Sequence, residues 1–526
     1  MQSFYTYPTP PDPHYSYGTA GFRYLGDQLG SVAFKTGIIA ALRSISTGGK
    51  TIGVVITASH NPPDHNGVKI VDPMGEMLPQ DWEPFANQLA NTVSFAEFEK
   101  AVNDRLANYK DVTPHIVIAR DTRSSGPRLL KAVIDGILAL KGKYTDFGKL
   151  TTPQLHYITR CYNDKTFGQP SEQGYYDKLI ATTTKILQIN GYTKLDPITV
   201  DTANGIGGDQ LRKLDSITDI LNFHVINGDT DHPDRLNIDC GADYVKTNQK
   251  LPAVLQKEGP EQGHLYASFD GDADRVVCYY VDESDKFRLL DGDRIATLLA
   301  SLIGGLLKKV PKIKLKVGIV QTAYANGSST EFIESKLKIP VYFTPTGVKH
   351  LHQKALEFDV GIYFEANGHG TVVFSPNYVK QLRDYQAADE EEKKTVETLL
   401  LLVDLINQAV GDSICDLTAV LVALKLTKKS VYSWGNDYKE LPNRLYKLSV
   451  KDRFLFKTTD AERRLVSPKG LQEKIDEVVG KYEKGRSFVR ASGTEDAVRV
   501  YAEASGTEEC ERLGKEVCEL TSEASQ

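Results

Sequence analysis

Ile52-Gly53-Val54-Val55-Ile56 runs straight into Thr57-Ala58-Ser59-His60-Asn61-Pro62-Pro63-Asp64-His65-Asn66-Gly67-Val68-Lys69. The first five residues are apolar and rich in β-branched side chains, the composition of a buried strand. The Pro and Gly residues that follow force an exposed loop. The chain thereby sets one hydroxyl, Ser59, at the tip of a strand, with His60, Asn61 and the cation Lys69 in reach. A serine so placed suits covalent modification during turnover. A Pro-rich surface loop that happens to hold a serine has the same pattern, so further segments must decide.

Tyr266-Ala267-Ser268-Phe269 reads as a short strand and delivers Asp270-Gly271-Asp272-Ala273-Asp274-Arg275. Three carboxylates at alternate positions repel one another unless a counter-ion joins them. Gly271 lets the loop curl so that all three point at one centre. Carboxylate oxygens are hard ligands, and Mg²⁺ is the expected partner. A calcium loop would carry glycine where Arg275 stands and a bidentate Glu where Val281 stands, so Mg²⁺ is preferred to Ca²⁺. An acidic turn without an ion is the alternative.

Near the C-terminus stands Arg490-Ala491-Ser492-Gly493-Thr494-Glu495-Asp496-Ala497-Val498-Arg499-Val500-Tyr501. Ser492, Gly493 and Thr494 allow successive backbone N–H groups to face inward as an anion nest. Arg490 and Arg499 bracket it, and guanidinium groups grip phosphate oxygens in a bidentate fork. The alternation Val498, Val500, Ala502 predicts a half-buried strand with Arg499 on its polar face. A hairpin with two solvated arginines is the plainer reading.

Composition narrows the class. A chain of 526 residues is too long for one core, and about three or four domains are expected. It is 40% hydrophobic and 25% charged, with a net charge of −6. Nucleic acid and anionic membranes are therefore not the expected partners; an anionic substrate must be held by local arginines. Cys161, Cys240, Cys278, Cys415, Cys510 and Cys518 are dispersed without CxxC spacing, as reduced thiols of a cytoplasmic protein would be. Residues 1–17 are rich in Pro and Tyr, and no run of 18 apolar residues occurs, so neither secretion nor membrane spanning is expected.

Short strand-like runs (Val54–Ile56, His115–Ala119, Ile198–Asp201, Tyr266–Phe269, Lys316–Val320, Asp359–Phe364) alternate with helical periodicity, as in Leu129–Leu140 and Ala296–Leu307. This predicts doubly wound α/β sheets, with ligands collecting at the carboxyl ends of strands. Arg383–Lys394 reads as a solvated helix start and Leu399–Val410 as an apolar helix behind it. Residues 427–446 read as a connection to a small C-terminal α+β domain that could move as a lid. Asp201–Gly208 resembles a nucleotide loop only loosely and reads as a strand–helix turn. Arg120-Asp121-Thr122-Arg123 suits either an orienting role beside Ser59 or a structural ion pair. His60 is a candidate general base or a hydrogen-bonding neighbour, and Lys69 a candidate counter-ion or a solvated cation.

Together these segments resemble the phosphohexomutase superfamily. Thr57–Pro62 matches its phosphoserine loop and Asp270–Arg275 its metal loop without a gap. Gly18-Thr19-Ala20-Gly21-Phe22-Arg23 is similar to its N-terminal active-site turn, Glu365-Ala366-Asn367-Gly368-His369-Gly370 to its sugar loop, and Arg490–Glu495 to its phosphate loop. Asn367 stands where glucose- and mannose-type mutases usually carry serine. With Thr344-Pro345-Thr346-Gly347-Val348-Lys349-His350, it resembles the eukaryotic acetylglucosamine branch.

The resemblance implies three doubly wound mixed α/β domains around a central cleft plus a smaller C-terminal α+β domain, over residues 1–180, 181–297, 298–427 and 440–526. It implies that Ser59 carries a phosphoryl group, aided by Arg23, His60 and Lys69. Ser59, Asp270, Asp272 and Asp274 would hold Mg²⁺. Arg275, Thr346, Gly347, Glu365, Asn367, His369, Arg490, Ser492, Gly493, Thr494 and Arg499 would bind substrate. The implied reaction interconverts N-acetylglucosamine 6-phosphate and 1-phosphate through a 1,6-bisphosphate, feeding UDP-N-acetylglucosamine synthesis, with the chain able to act as a monomer. Another hexose phosphate (glucose, mannose or glucosamine) remains open as the substrate. A phosphatase would want a downstream Lys and Asp pair, and a kinase a nucleotide loop. A non-catalytic sensor would have lost Ser59 or an Asp.

Overall fold

The computed structural model describes residues 2–109, 112–492 and 497–525. They form two compact units. One comprises Met1–Asp291, Asn367–Thr371 and Gln386–Val431; the other comprises Gly292–Ala366, Val372–Tyr385 and Tyr432–Gln526.

The first unit holds two five-stranded sheets. In the first sheet the strands run in the order Phe22–Leu25, His65–Val71, Ile52–Ile56, His115–Arg120, Lys143–Lys149. Ile52–Ile56 pairs parallel with His115–Arg120 and antiparallel with His65–Val71. It is buried throughout because both faces are covered. Ile52, Val54 and Ile56 join a core with Phe34, Ile38 and Leu42 of the helix Gly30–Ser46 and Val133 and Ile137 of the helix Gly126–Ala139. Gly53 faces Thr159 of the helix Thr152–Asn163 on the opposite side. This is the doubly wound arrangement expected from near-continuous apolar strands. The second sheet runs Phe287–Leu290, Val276–Val281, Tyr266–Phe269, Ile198–Asp201, Phe223–Ile226.

In the second unit a sheet runs Val341–Thr344, Val317–Thr322, Val360–Phe364, Gly370–Phe374, its last strand crossing the division between the units. The C-terminal sheet is antiparallel, in the order Asn443–Ser449, Ala497–Glu503, Arg486–Ala491. Helices Leu471–Val479 and Thr507–Ala524 cover it, and a hairpin, Lys457–Thr459 with Arg464–Ser467, extends from it. The domain that could move as a lid makes hydrogen bonds to the neighbouring sheet. Arg486 donates to the carbonyls of Ala323 and Ala325 at 2.8 and 2.5 Å, and the buried Glu503 accepts from the Gly327 N–H at 3.1 Å.

Two expectations are corrected. Lys69 does not lie on an exposed loop: His65–Val71 is a strand, Lys69 is buried, and only the turn around Pro62 and Asp64 reaches solvent. The antiparallel partner that Ile52–Ile56 needs is supplied by the residues just beyond the Pro-rich turn. The apolar run Leu399–Val410 is not one helix either. The helix Glu390–Leu405, capped by Asp389, ends because Ile406 is extended, and Asp412 caps a new helix, Ser413–Thr427. Arg383 closes the preceding helix, Pro376–Arg383.

Gly37 and Gly136 let the helices Gly30–Ser46 and Gly126–Ala139 meet backbone to backbone. A Cβ on Gly37 would lie 2.1 Å from the Val133 carbonyl oxygen, and one on Gly136 would lie 2.0 Å from that of Phe34. Gly37→Ala gains about 1 kcal/mol of helix propensity. Overpacking costs about 1–3 kcal/mol where side chains can adjust, and here the obstacle is main chain. A net loss of stability is therefore expected, seen as a lower midpoint in urea unfolding. An unchanged midpoint would show that the helices separate freely.

Candidate active site

In the first unit, loops at the carboxyl ends of strands from both sheets meet around Ser59. Ser59 is fully buried and has φ +52°, a left-handed conformation that costs a residue other than glycine about 1–2 kcal/mol. Its surroundings hold it there. Its N–H donates to Thr57 Oγ1 at 3.0 Å. Its carbonyl accepts from Arg123 Nη2 at 3.1 Å and from Asn237 Nδ2 at 2.9 Å. Both groups also donate to the Asn61 carbonyl, at 2.7 and 3.0 Å. Arg123 is ion-paired with Asp121, which accepts from Thr57 Oγ1 at 2.7 Å. The Arg120–Arg123 turn thus supplies a buried ion pair that also orients the serine loop.

The Ser59 hydroxyl donates to Asp270 Oδ2 at 2.5 Å. Asp270 Oδ1 accepts the backbone N–H groups of Asp274 and Arg275 at 3.0 and 3.1 Å. Asp272 Oδ2 accepts from Thr152 Oγ1 at 2.6 Å, and the Thr152 N–H donates to the Asp272 carbonyl at 3.1 Å. Ser413, first residue of the helix Ser413–Thr427, donates its N–H to the Ala273 carbonyl at 3.1 Å and its hydroxyl to the Arg275 carbonyl at 2.6 Å. Two helix starts therefore clamp the acidic loop. Gly271 is required by close approach, since a Cβ there would lie 2.7 Å from the Ser59 carbonyl oxygen.

The loop fits a divalent cation. Asp270, Asp272 and Asp274 are buried, and each offers a carboxylate oxygen, all within 4.8 Å of one another. Asp272 Oδ1 is buried without a hydrogen-bond partner, and an all-oxygen donor set suits Mg²⁺. Burial, then the charges of Asp274 and Asp272, pushes the Asp270 carboxyl well above the usual range. Burial and then Asp274 raise Asp272 likewise. Burial acts on Asp274 in the same sense but is outweighed by His369, Arg275 and Lys69, which hold it well below.

His369 Nδ1 lies 3.2 Å from Asp274 Oδ1, so this sugar-loop residue sits against the acidic loop. The Arg275 guanidinium lies 3.7–3.9 Å from Asp243, Asp270 and Asp274. Arg23 donates to Asn61 Oδ1 at 3.2 Å. Burial, then Arg275 and Arg23, lowers His60 to about 2, so its imidazole is neutral at physiological pH. His60 Nδ1 is buried without a hydrogen-bond partner among the described residues.

In the second unit, Arg490 and Arg499 are direct cross-strand partners, and Lys447 pairs with Arg499 on its other side. Paired residues share a face of the sheet, so three cations stand in one row while Val498 and Val500 are buried. Arg490 Nε donates to the Tyr324 hydroxyl at 2.8 Å, and Arg490 Nη1 lies 3.6 Å from Glu462 Oε1. Glu462 Oε2 accepts from Thr346 N and Oγ1 at 2.9 and 2.5 Å. Gly347, at φ +125°, precedes the helix Val348–Ala355. Ser492 is buried; Gly493 and Thr494 lie outside the described residues. Glu365 follows the strand Val360–Phe364 in this unit. Asn367, assigned to the first unit, accepts the His369 N–H at 3.0 Å.

Thr152, Asn237, Ser413, Tyr324, Lys447 and Glu462 were absent from the sequence-derived set. Thr152 and Ser413 follow local signals of a helix start, the capping box of Thr151 and Gln154 and the N-cap Asp412.

Four family descriptions match the chain: Phosphoglucomutase/phosphomannomutase, alpha/beta/alpha domain I, over residues 38–97 and 86–168; Phosphoacetylglucosamine mutase AMG1, domain II, over 166–277; Phosphoacetylglucosamine mutase AMG1, domain III, over 291–429; and Phosphoglucomutase/phosphomannomutase, C-terminal domain, over 447–520. The chain is 51% identical to the phosphoacetylglucosamine mutase of Candida albicans, with 98% of this chain and 97% of that protein aligned. It is similar to an N-acetylglucosamine-phosphate mutase solved in its substrate complex, at a TM-score of 0.95 and 51% identity over 99% of this chain and 98% of that one. It also resembles the Aspergillus fumigatus N-acetylphosphoglucosamine mutase in complex with GlcNAc-6P and magnesium, at a TM-score of 0.95 and 46% identity over 100% of this chain and 98% of that one. The chain belongs to the phosphoacetylglucosamine mutase family of the phosphohexomutase superfamily.

Proposed function

We propose that this chain is a phosphoacetylglucosamine mutase, an isomerase that interconverts N-acetylglucosamine 6-phosphate and 1-phosphate and uses Mg²⁺. The observation that carries this reading is the buried Ser59 hydroxyl hydrogen-bonded to a carboxylate of the acidic loop, in a chain that aligns end to end with enzymes of that name. The magnesium in the Aspergillus fumigatus complex supports the choice of cation.

On this reading Ser59 gives its phosphoryl group to the free hydroxyl of a sugar monophosphate. The product is a 1,6-bisphosphate, which turns around and returns its other phosphate to Ser59. Asp270, Asp272, Asp274 and a phosphoserine oxygen would hold Mg²⁺, which when bound withdraws charge from the transferring phosphorus. Arg123 and Asn237 fix the serine backbone so that its oxygen is presented along one direction. Burial of Ser59 keeps water from the phosphoryl group. Arg490, Ser492 and Arg499 hold the phosphate that is not reacting. Glu365 and Asn367 read the sugar, and the Asn367 amide can both donate to and accept from an acetamido group.

No helix among the described residues is long and apolar enough to cross a membrane. All six thiols are free, which suits the reducing cytoplasm.

Three measurements test this reading. Wild-type enzyme is expected to show a higher kcat/KM for N-acetylglucosamine phosphate than for glucose phosphate; equal values would place the chain with another sugar. Ser59→Ala is expected to lose roughly a thousand-fold or more in turnover while still binding sugar phosphate in calorimetry. Normal turnover without added bisphosphate would rule out the covalent carrier. Thr152→Val, which strips the hydroxyl from Asp272, is expected to raise the Mg²⁺ concentration for half-maximal rate about tenfold or more, with excess Mg²⁺ restoring the rate. An unchanged requirement would leave Thr152 a purely structural role.

A further inference from the structure

The hairpin that joins Lys457–Thr459 to Arg464–Ser467 has an unusual tip. Asp460, Ala461 and Glu462 take φ values of +52°, +53° and +66°. Three successive residues other than glycine in the left-handed region cost about 1–2 kcal/mol each. Such strain persists only where the surroundings over-determine it, and it concentrates where a side chain must be aimed.

The tip is aimed at the loop after the strand Val341–Thr344. The Arg463 guanidinium stacks 4.1 Å from the centroid of the Phe343 ring. One residue earlier, Glu462 Oε2 accepts both the backbone N–H and the hydroxyl of Thr346. The other oxygen, Oε1, faces Arg490 Nη1 at 3.6 Å. Arg490 stands in the row with Arg499 and Lys447. Arg490 also rests on the Tyr324 hydroxyl. A single carboxylate therefore touches a residue of the substrate loop and the first arginine of the phosphate site.

We propose that Glu462 is a positioning residue for the mutase reaction: it clasps the Thr346 loop to Arg490 and so fixes the spacing between the sugar-facing loop and the phosphate-binding strand. This rests on the functional reading above. Its main action is through the two hydrogen bonds to Thr346. These lock the approach to the helix Val348–Ala355 before substrate arrives, so that binding does not have to order it. The acidic loop is untouched by this contact, so the effect falls on binding rather than on chemistry.

The test is steady-state kinetics with N-acetylglucosamine 6-phosphate on the Mg²⁺-loaded full chain. Glu462→Ala is expected to raise KM on the order of tenfold, about the size of one hydrogen bond to a charged group, with kcat within about threefold. Glu462→Gln keeps an acceptor oxygen for Thr346 and is expected to recover most of the lost KM. Thr346→Val in the Glu462→Ala background should add little to either change alone, because both act through one contact. An unchanged KM, an equal fall in kcat, a Gln variant as poor as Ala, or additive effects would each overturn the proposal. So would a Glu462→Ala protein that melts early or fails to fold, since Glu462 would then serve stability. A wild type without mutase turnover would instead sink the functional reading, which separates the two failures.

Discussion

Asp270, Asp272 and Asp274 crowd carboxylate oxygens within 4.8 Å of one another in a buried loop. At an effective dielectric constant of about 20, each pair of full charges at that range repels by roughly 3–4 kcal/mol. Three such pairs approach the net stability of a typical protein, about 5–15 kcal/mol. The loop cannot hold this geometry without compensation, and the compensation is uneven. His369, Arg275 and Lys69 gather around Asp274 and keep it ionised. Asp270 and Asp272 are left raised by burial and by their neighbours, despite the backbone N–H groups on one and the Thr152 hydroxyl on the other. Burial leaves Asp270 and Asp272 raised even with these groups in place, a setting that suits a divalent cation.

The serine follows from that constraint. Its hydroxyl is bonded to Asp270, one of the under-compensated carboxylates, and its backbone is held left-handed by donors from two different sheets. Arg123 lies beyond the strand His115–Arg120, and Asn237 beyond the strand Phe223–Ile226. The turn after Ile198–Asp201 contributes too. The Ile206 N–H donates to the Gly271 carbonyl, and the Ala203 carbonyl accepts from the Asn237 N–H. Loops at strand ends thus interlock, and a shift in any of them would move the serine oxygen relative to the carboxylates. Where positioning supplies most of the catalysis, as in phosphoryl transfer, such mutual bracing is the useful property of the fold.

What the sequence disclosed follows from how far each interaction reaches along the chain. The acidic loop was legible because its three ligands are spaced within five residues, and the strands before Ser59 and Asp270 because apolar runs mark them. The Val498–Ala502 alternation suggested a half-buried strand with Arg499 on a polar face, but Ala497, Tyr501 and Glu503 on that face are buried too, because the sheet packs against Ala323 there. Contacts across the fold left no such mark. Asn237 is 178 residues from Ser59 and Glu462 is 116 from Thr346; nothing local distinguishes that asparagine or that glutamate from a solvated one. The strand His65–Val71 was hidden by the Pro-rich turn before it. The helix end at Leu405 was hidden because apolar residues continue to Val410 while the backbone turns extended at Ile406.

The second unit poses the same electrostatic problem with the sign reversed. Lys447, Arg499 and Arg490 stand side by side on one face of a sheet, with the carboxylate of Glu462 3.6 Å from Arg490. The two sites differ in how they are completed. The acidic loop fixes its oxygens by backbone donors and helix starts, which suits a small ion of strict geometry. The cationic row rests on long side chains, with Tyr324 and Glu462 as partners of Arg490, which suits a phosphate that arrives on either end of a sugar. A mutase on the proposed scheme needs both kinds of site. The transferring group must be held in one geometry, whereas the distal phosphate must be accepted in two orientations of the bisphosphate. A rigid ring of donors at the distal site would favour one orientation and slow the return. Guanidinium forks and an ammonium on long stems can meet a phosphate brought in on either end of the sugar. On the proposed scheme, selectivity for the sugar falls to groups that read the ring rather than its phosphates, and Glu365, Asn367 and the loop that Thr346 opens are the proposed readers.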